Sequence, residues 1–136
     1  MKPFTKRDKK RLIRVCEIVR SRLGLGGLRF SFAFRARDGY KTAQYLCYHW
    51  GWRLDIVFYD VFFKKSLEEQ LEIIVHEHVH AMTAPAVSCA YRQYNALSKS
   101  QYDKLSAAID TADEIMTDHA TRPLLELLMP HIKKVL

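Results

Sequence analysis

The 136-residue sequence has few cysteines and no long apolar run. Its three cysteines, Cys16, Cys47 and Cys89, are far apart and form no CxxC pair, so neither a disulfide framework nor a thiolate zinc site is expected. No apolar stretch approaches the roughly 18 residues that cross a bilayer, and residues 1–22 lack the apolar core of a signal peptide. We therefore expect a cytoplasmic protein without a membrane partner.

The sequence also lacks internal repeats, linkers and low-complexity segments. A chain of this length can bury one hydrophobic core, which predicts a single domain spanning residues 1–136.

Acidic residues are outnumbered, with 15 Asp and Glu against 22 Lys and Arg and a net charge of +7. Nine of the basic residues lie within the first 22 positions. A solvated helix face is the simpler hypothesis, and a nucleic-acid partner is the alternative.

Hydrophobic periodicity divides the first half of the chain into a helix and three strands. Apolar residues recur with helical spacing over residues 5–23, and glycines follow. Alternation with period two predicts strands over residues 28–35, 42–50 and 52–59, with a turn at Asp38-Gly39. Short connections between successive strands indicate an antiparallel meander.

The second half of the chain predicts helices, which makes the fold class α+β. Ser66 and Glu69 form a capping box that begins a helix from Leu67 to about Thr83, which Pro85 would end. A second helix begins near Ser100. Pro123 would kink or break it, and residues 124–136 would form a terminal helix. The apolar stripe of this second helix consists of Leu105, Ala108, Ile109, Ala112, Ile115 and Met116.

Residues 76–80 read His-Glu-His-Val-His within the first of these two helices. His76 and His80 are one turn apart on one face, so their imidazoles can hold one zinc ion. Glu77 lies about 100° round the helix, where a general base for an activated water is required. His78 points away from this face, and we interpret it as a hydrogen-bonded core histidine.

A catalytic zinc ion needs a third protein ligand and one open position. The candidates are Glu114, Asp113, Asp110 and His119, all on the downstream helix. Glu114 and Asp118 are four residues apart, so one carboxylate could bind the ion while the other accepts the Nδ1 hydrogen of a ligand histidine. The acidic residues of this helix could equally face water.

The motif at His76–His80 with Glu114 and Asp118 downstream resembles the gluzincin branch of zinc metallopeptidases. The resemblance implies a small zincin-like domain with Glu114 as third ligand and Asp118 as the residue that orients a histidine. The ending Leu127-Leu128-Met129-Pro130 is similar to that of the ImmA/IrrE-like peptidases of phages and mobile elements.

The predicted function is zinc-dependent hydrolysis of a protein or peptide, with Glu77 as general base. Residues 52–59 are the predicted strand for binding substrate backbone. The alternative is a catalytically silent, zinc-stabilised module that acts through its basic N-terminal helix, with nucleic acid as its partner.

Overall fold

The computed structural model describes residues 5–36, 41–48, 53–92 and 97–136. The elements are α1 (Lys6–Arg22), β1 (Arg29–Arg35), β2 (Ala43–Tyr48), β3 (Arg53–Tyr59), a 3₁₀ helix (Asp60–Lys64), α2 (Leu67–Arg92) and α3 (Lys99–Ile132). This is an α+β arrangement, as predicted. The predicted turn at Asp38-Gly39 lies outside the described residues.

Helix α1 begins at a complete capping box. The Thr5 side chain accepts from the amide of Asp8, and the Asp8 carboxylate accepts from the amide of Thr5. The inward stripe of α1 packs into the core through Leu12, Val15, Cys16 and Val19. Beyond the helix, Gly24 has a φ of +74°, a value that glycine adopts without strain.

The three strands form one sheet, but the predicted antiparallel meander is wrong. The strand order is β1-β3-β2, with β1 parallel to β3 and β2 antiparallel to β3. Strand β3 takes the central place because it is apolar on both faces: Leu54, Ile56 and Phe58 are fully buried, and Val57 is 2% exposed. In the predicted meander β3 would be an edge strand, and a strand that is buried on both faces favours the central position instead.

Helix α2 begins at the predicted capping box, where the Ser66 amide donates to Glu69 at 2.8 Å and the Glu69 amide donates to Ser66 Oγ at 3.2 Å. The predicted end near Thr83 is wrong, because α2 continues through Pro85 to Arg92. Proline removes one helical hydrogen bond, and packing of α2 against α3 keeps the helix intact around it.

Helix α3 is a single element of 34 residues, so the predicted break at Pro123 and the separate terminal helix are both wrong. Its N-cap is Ser98, with Gln101 completing the capping box, two residues before the predicted start at Ser100. Pro123 is exposed, and the helix is held on both sides of it by residues of the opposite face. The buried residues of that face are Asp113, Thr117, Thr121, Leu125, Leu128 and Ile132.

The predicted apolar stripe of α3 is therefore not its packing face. Ile115 and Met116 are 53% and 54% exposed, whereas Asp113 and Thr117 are 6% and 0% exposed. The reason is the neighbouring helix: at this level α2 presents His76 and His80, so α3 turns polar side chains toward them. Among the described residues, no helix is long and apolar enough to cross a membrane.

Candidate metal centre

Packing of α2 on α3 brings together the three residues expected from the sequence to hold a metal ion. His76, His80 and Glu114 each offer one ligand atom, and these atoms lie within 4.8 Å of one another. The two histidines come from adjacent turns of α2, and Glu114 comes from the facing part of α3. The two helices therefore supply all three residues of the cluster.

The distances within the cluster fit one small ion. The two Nε2 atoms of His76 and His80 are 3.0 Å apart. One oxygen of Glu114 lies 3.5 Å from His76 Nε2 and the other lies 3.3 Å from His80 Nε2. Ligands of a tetrahedral ion with bonds of about 2.0–2.1 Å are about 3.3 Å apart, so the observed spacing suits tetrahedral coordination.

A carboxylate stands behind each histidine. Asp113 Oδ2 lies 2.8 Å from His80 Nδ1, and Asp118 Oδ1 lies 3.3 Å from His76 Nδ1. A carboxylate accepts hydrogen bonds, so each Nδ1 carries its hydrogen and each Nε2 presents a lone pair. Two lone pairs and the Glu114 carboxylate then converge on one point, where they could hold a cation between them.

The carboxylate behind His80 is itself fixed in place. Thr83 Oγ1 donates to Asp113 Oδ1 at 2.6 Å, and the hydroxyl of Thr117 lies 3.3 Å from His80 Nδ1. The side chains of His80 and Asp113 are 5% and 8% exposed, whereas Asp118 is 69% exposed. The two histidines are thus supported unequally, His80 from within the core and His76 from the surface.

Glu77 lies beside the cluster and lines the same cleft as His76. The cleft has a volume of about 470 Å³, and its walls include Thr42, Asp118 and Arg122. Glu77 is 8% exposed. Burial raises its pKa to about 7, although the charge of His80 and a backbone hydrogen bond from Tyr45 act in the opposite direction. Burial, together with the charge of His80, lowers the pKa of His76.

Strand β2 supports the cluster from the side of the sheet. The ring of Tyr45 stacks on His80 with centroids 4.8 Å apart, and the Tyr45 amide donates to Glu77. Within the described sheet β2 is an edge strand, whereas both edges of β3 are paired. The predicted substrate strand, residues 52–59, therefore offers no edge for strand addition in the described sheet, and β2 is the edge strand that contacts the cluster.

The remaining candidates lie elsewhere. The hydroxyl of Tyr91 donates to Asp110, which leaves Asp110 outside the cluster, and His119 is exposed and also outside it. His78 is fully buried, lies 2.7 Å through Nδ1 from the Ile74 carbonyl oxygen, and stacks on Phe30. The interpretation of His78 as a core histidine is confirmed. Its burial lowers the pKa of the imidazole to about 4.

Sequence reasoning considered Asp113 only as an alternative ligand and did not foresee its place behind His80. The signal that could have found it is the regular spacing of Asp113, Thr117, Thr121 and Leu125, each four residues from the last. A four-residue repeat marks one face of a helix, and the leucine at its end indicates that the face is buried.

The chain matches no protein-family model, no curated protein and no solved structure. The relationship to gluzincins and to ImmA/IrrE-like peptidases therefore stays a prediction from the motif.

Proposed function

We propose that the protein is a zinc-dependent peptidase in which His76, His80 and Glu114 hold the ion and Glu77 is the general base. The observation that carries the proposal is the convergence of two Nε2 lone pairs and a carboxylate at spacings of 3.0 to 3.5 Å, with a carboxylate behind each imidazole. Two imidazoles and one carboxylate form a ligand set used by catalytic zinc sites.

A bound zinc ion supplies Lewis acidity and lowers the pKa of a water molecule. Glu77 lies next to the first histidine and lines the open cleft, so its carboxylate can take a proton from that water and return it to the leaving amine. The amide of Tyr45 holds the carboxylate of Glu77 in place. Strand β2 lies at the edge of the described sheet next to the cleft, and its outward backbone groups other than the Tyr45 amide can pair with an extended peptide.

The proposal is tested by metal analysis and a peptidase assay on the same preparations. Wild type should bind about one zinc per chain and cleave an unstructured protein such as casein or members of a peptide library. Glu77→Gln should keep zinc and lose cleavage, because the amide preserves shape and cannot accept the proton. The double variant His76→Ala, His80→Ala should lose both.

His119→Ala is the matched control, since it removes an exposed histidine outside the cluster. It should retain zinc and activity. Stoichiometric zinc in the double variant would contradict the site, and undiminished cleavage by Glu77→Gln would contradict the role of that residue.

A further inference from the structure

The basic residues are concentrated at one end of the chain. Residues 1–36 contain eleven Lys and Arg and two acidic residues, whereas residues 37–136 contain eleven basic and thirteen acidic residues. The net charge of +7 thus arises entirely from the first 36 residues. The metal cluster lies in residues 37–136, where acidic residues outnumber basic ones. The proposed peptidase site therefore does not account for the positive charge of the first 36 residues.

Helix α1 displays its cations on one face. Its apolar residues lie in the core, and the exposed basic residues of the opposite face are Lys6, Arg7, Lys10, Arg14 and Arg22. Lys6, Lys10 and Arg14 are spaced four residues apart and therefore form a row along about 12 Å of helix. Glu17 is the one acidic residue on this face within the described chain.

The basic residues continue onto the turn that follows α3. A cleft of about 540 Å³ lies between the two helices, and Arg14, Arg22, His131 and Lys134 are among the residues that line it. We call the five exposed cations of α1 together with Lys134 the basic surface. The two helices are packed together, so the backbone positions that carry these cations are held close to one another.

We propose that the basic surface binds the phosphate backbone of double-stranded DNA, a property beyond the proposed peptidase activity. Duplex DNA carries about one charge per 1.7 Å of its axis, so cations about 6 Å apart along a helix pass several phosphates over the same length. The major groove of B-form DNA is about 12 Å wide and admits a helix. The major groove of duplex RNA is too deep and narrow to do so.

Two other anionic partners fit this surface less well. A helix that binds a membrane inserts its apolar face, but the apolar face of α1 is occupied by the core. Proteins that bind single strands stack bases on exposed aromatic rings. Among the described residues the basic surface has no exposed aromatic ring, and Phe30, Phe32 and Phe34 are half-buried in β1.

The test is binding of a fluorescent 30-base-pair DNA duplex to the full chain, measured by anisotropy at increasing salt. Wild type should bind with an affinity that falls steeply with salt. The double variant Lys10→Glu, Arg14→Glu should bind at least tenfold more weakly near 0.1 M salt and reduce the log–log salt slope by about two. Glu17→Gln should bind about twofold more tightly or better.

The matched control is Lys99→Glu, Lys104→Glu, which changes the net charge equally. Lys104 is exposed and lies about 40 Å along α3 from His131. This control should stay within about threefold of wild type. None of these substitutions touches the metal cluster, so unchanged zinc content and an unchanged circular dichroism spectrum distinguish a failure here from a failure of the peptidase proposal.

Absence of salt-dependent DNA binding by wild type would overturn the proposal. Equal weakening by the two double variants would also overturn it, because it would reduce the effect to net charge. Equal or tighter binding to a duplex RNA of the same sequence, or to vesicles containing phosphatidylserine, would overturn the assignment to DNA.

Discussion

The Asp113 carboxylate lies 2.8 Å from Nδ1 of His80, which is 33 residues away in the chain and on a different helix. Both side chains are buried. The carboxylate fixes the hydrogen on Nδ1, so Nε2 of His80 faces Glu114 and His76 as an acceptor. Thr83 donates a hydrogen bond to the other oxygen of Asp113. The arrangement of the cluster therefore depends on Asp113, which is not one of the proposed metal ligands.

Asp113→Ala should weaken zinc binding about 10- to 100-fold, the usual scale for groups that orient a ligand histidine. It should also destabilise the apoprotein by about 1 to 3 kcal/mol, because Thr83 and His80 lose a buried partner. Competition with a chromophoric chelator measures the first effect, and thermal unfolding in EDTA measures the second. The control Asp103→Ala changes an exposed aspartate of the same helix. Wild-type affinity in Asp113→Ala would show that His80 is oriented without it.

Glu114→Ala should lose most of the bound zinc, because it removes the carboxylate that faces both Nε2 atoms. Asp118→Ala should retain zinc with a smaller loss of affinity than Asp113→Ala, since Asp118 is 69% exposed and water can replace it behind His76. Zinc content after dialysis, followed by chelator titration, ranks the variants. If Asp118→Ala lost the most zinc affinity and Glu114→Ala the least, this arrangement would be contradicted.

His78→Ala should keep stoichiometric zinc although it lies between the two proposed ligands in sequence. It should lower stability by about 2 to 4 kcal/mol, because a fully buried ring that stacks on Phe30 is replaced by a cavity. Chemical denaturation of the zinc-free chains separates this effect from metal binding. Loss of zinc without loss of apoprotein stability would reverse the interpretation.

Removing the metal should lower the melting temperature of wild type, because an ion that binds only the folded chain stabilises it by about 2.7 kcal/mol at a free concentration 100 times the Kd. The experiment compares melting with zinc and with EDTA. The variant His76→Ala, His80→Ala should show no difference between the two conditions, whereas His119→Ala should behave like wild type. A metal-dependent shift in the double variant would indicate binding elsewhere.

The capping box of α2 should contribute to the acid dependence of stability. Hydrogen bonds from the amide and hydroxyl of Ser66, and the nearby Lys65, lower the pKa of Glu69 to about 2. A carboxyl whose pKa is lowered by folding stabilises the protein above its unfolded pKa of about 4.5, and this contribution is lost as the pH falls toward 2. Glu69→Gln keeps a capping partner without a titrating group.

The free energy of unfolding should therefore fall more steeply for wild type than for Glu69→Gln between about pH 4.5 and 2. In Ser66→Ala this fall in the free energy of unfolding should occur at higher pH, because the Ser66 hydroxyl no longer stabilises the Glu69 carboxylate. Urea unfolding at a series of pH values measures both effects. Parallel pH profiles for wild type and Glu69→Gln would contradict the contribution.

Local signals in the sequence predicted the elements well, and pairings between distant segments poorly. The start of α2 at Ser66 and the shared face of His76 and His80 depend on residues within one or two turns. The central position of β3 depends on which elements cover each face of the sheet. Hydrophobic periodicity does not identify those elements. Pro85 was a correct local signal, but the packing of α2 on α3 outweighed it.

The roles of the acidic residues of α3 could be only partly assigned from the sequence, for a related reason. Asp110, Asp113 and Glu114 lie within about one turn of helix, and the rotation of a helix about its axis is set by its neighbours. Glu114 lies beside the two histidines, as its predicted role as a ligand requires. The four-residue spacing marks Asp113 as buried, but it does not say which residue of the facing helix Asp113 contacts. That assignment needed the facing helix.

Because α3 continues through Pro123 without a break, the number of residues in this segment determines where its cluster residues lie. Leu125, Leu128 and Ile132 anchor the C-terminal end in the core, and the same unbroken helix carries Asp113 and Glu114 about three turns before Leu125. Inserting one residue after Thr121 would rotate one half by about 100° and shift it by about 1.5 Å against the other. Both carboxylates would then leave His80 together. Deletions and insertions in α3 are consequently far less tolerable than substitutions on its exposed face.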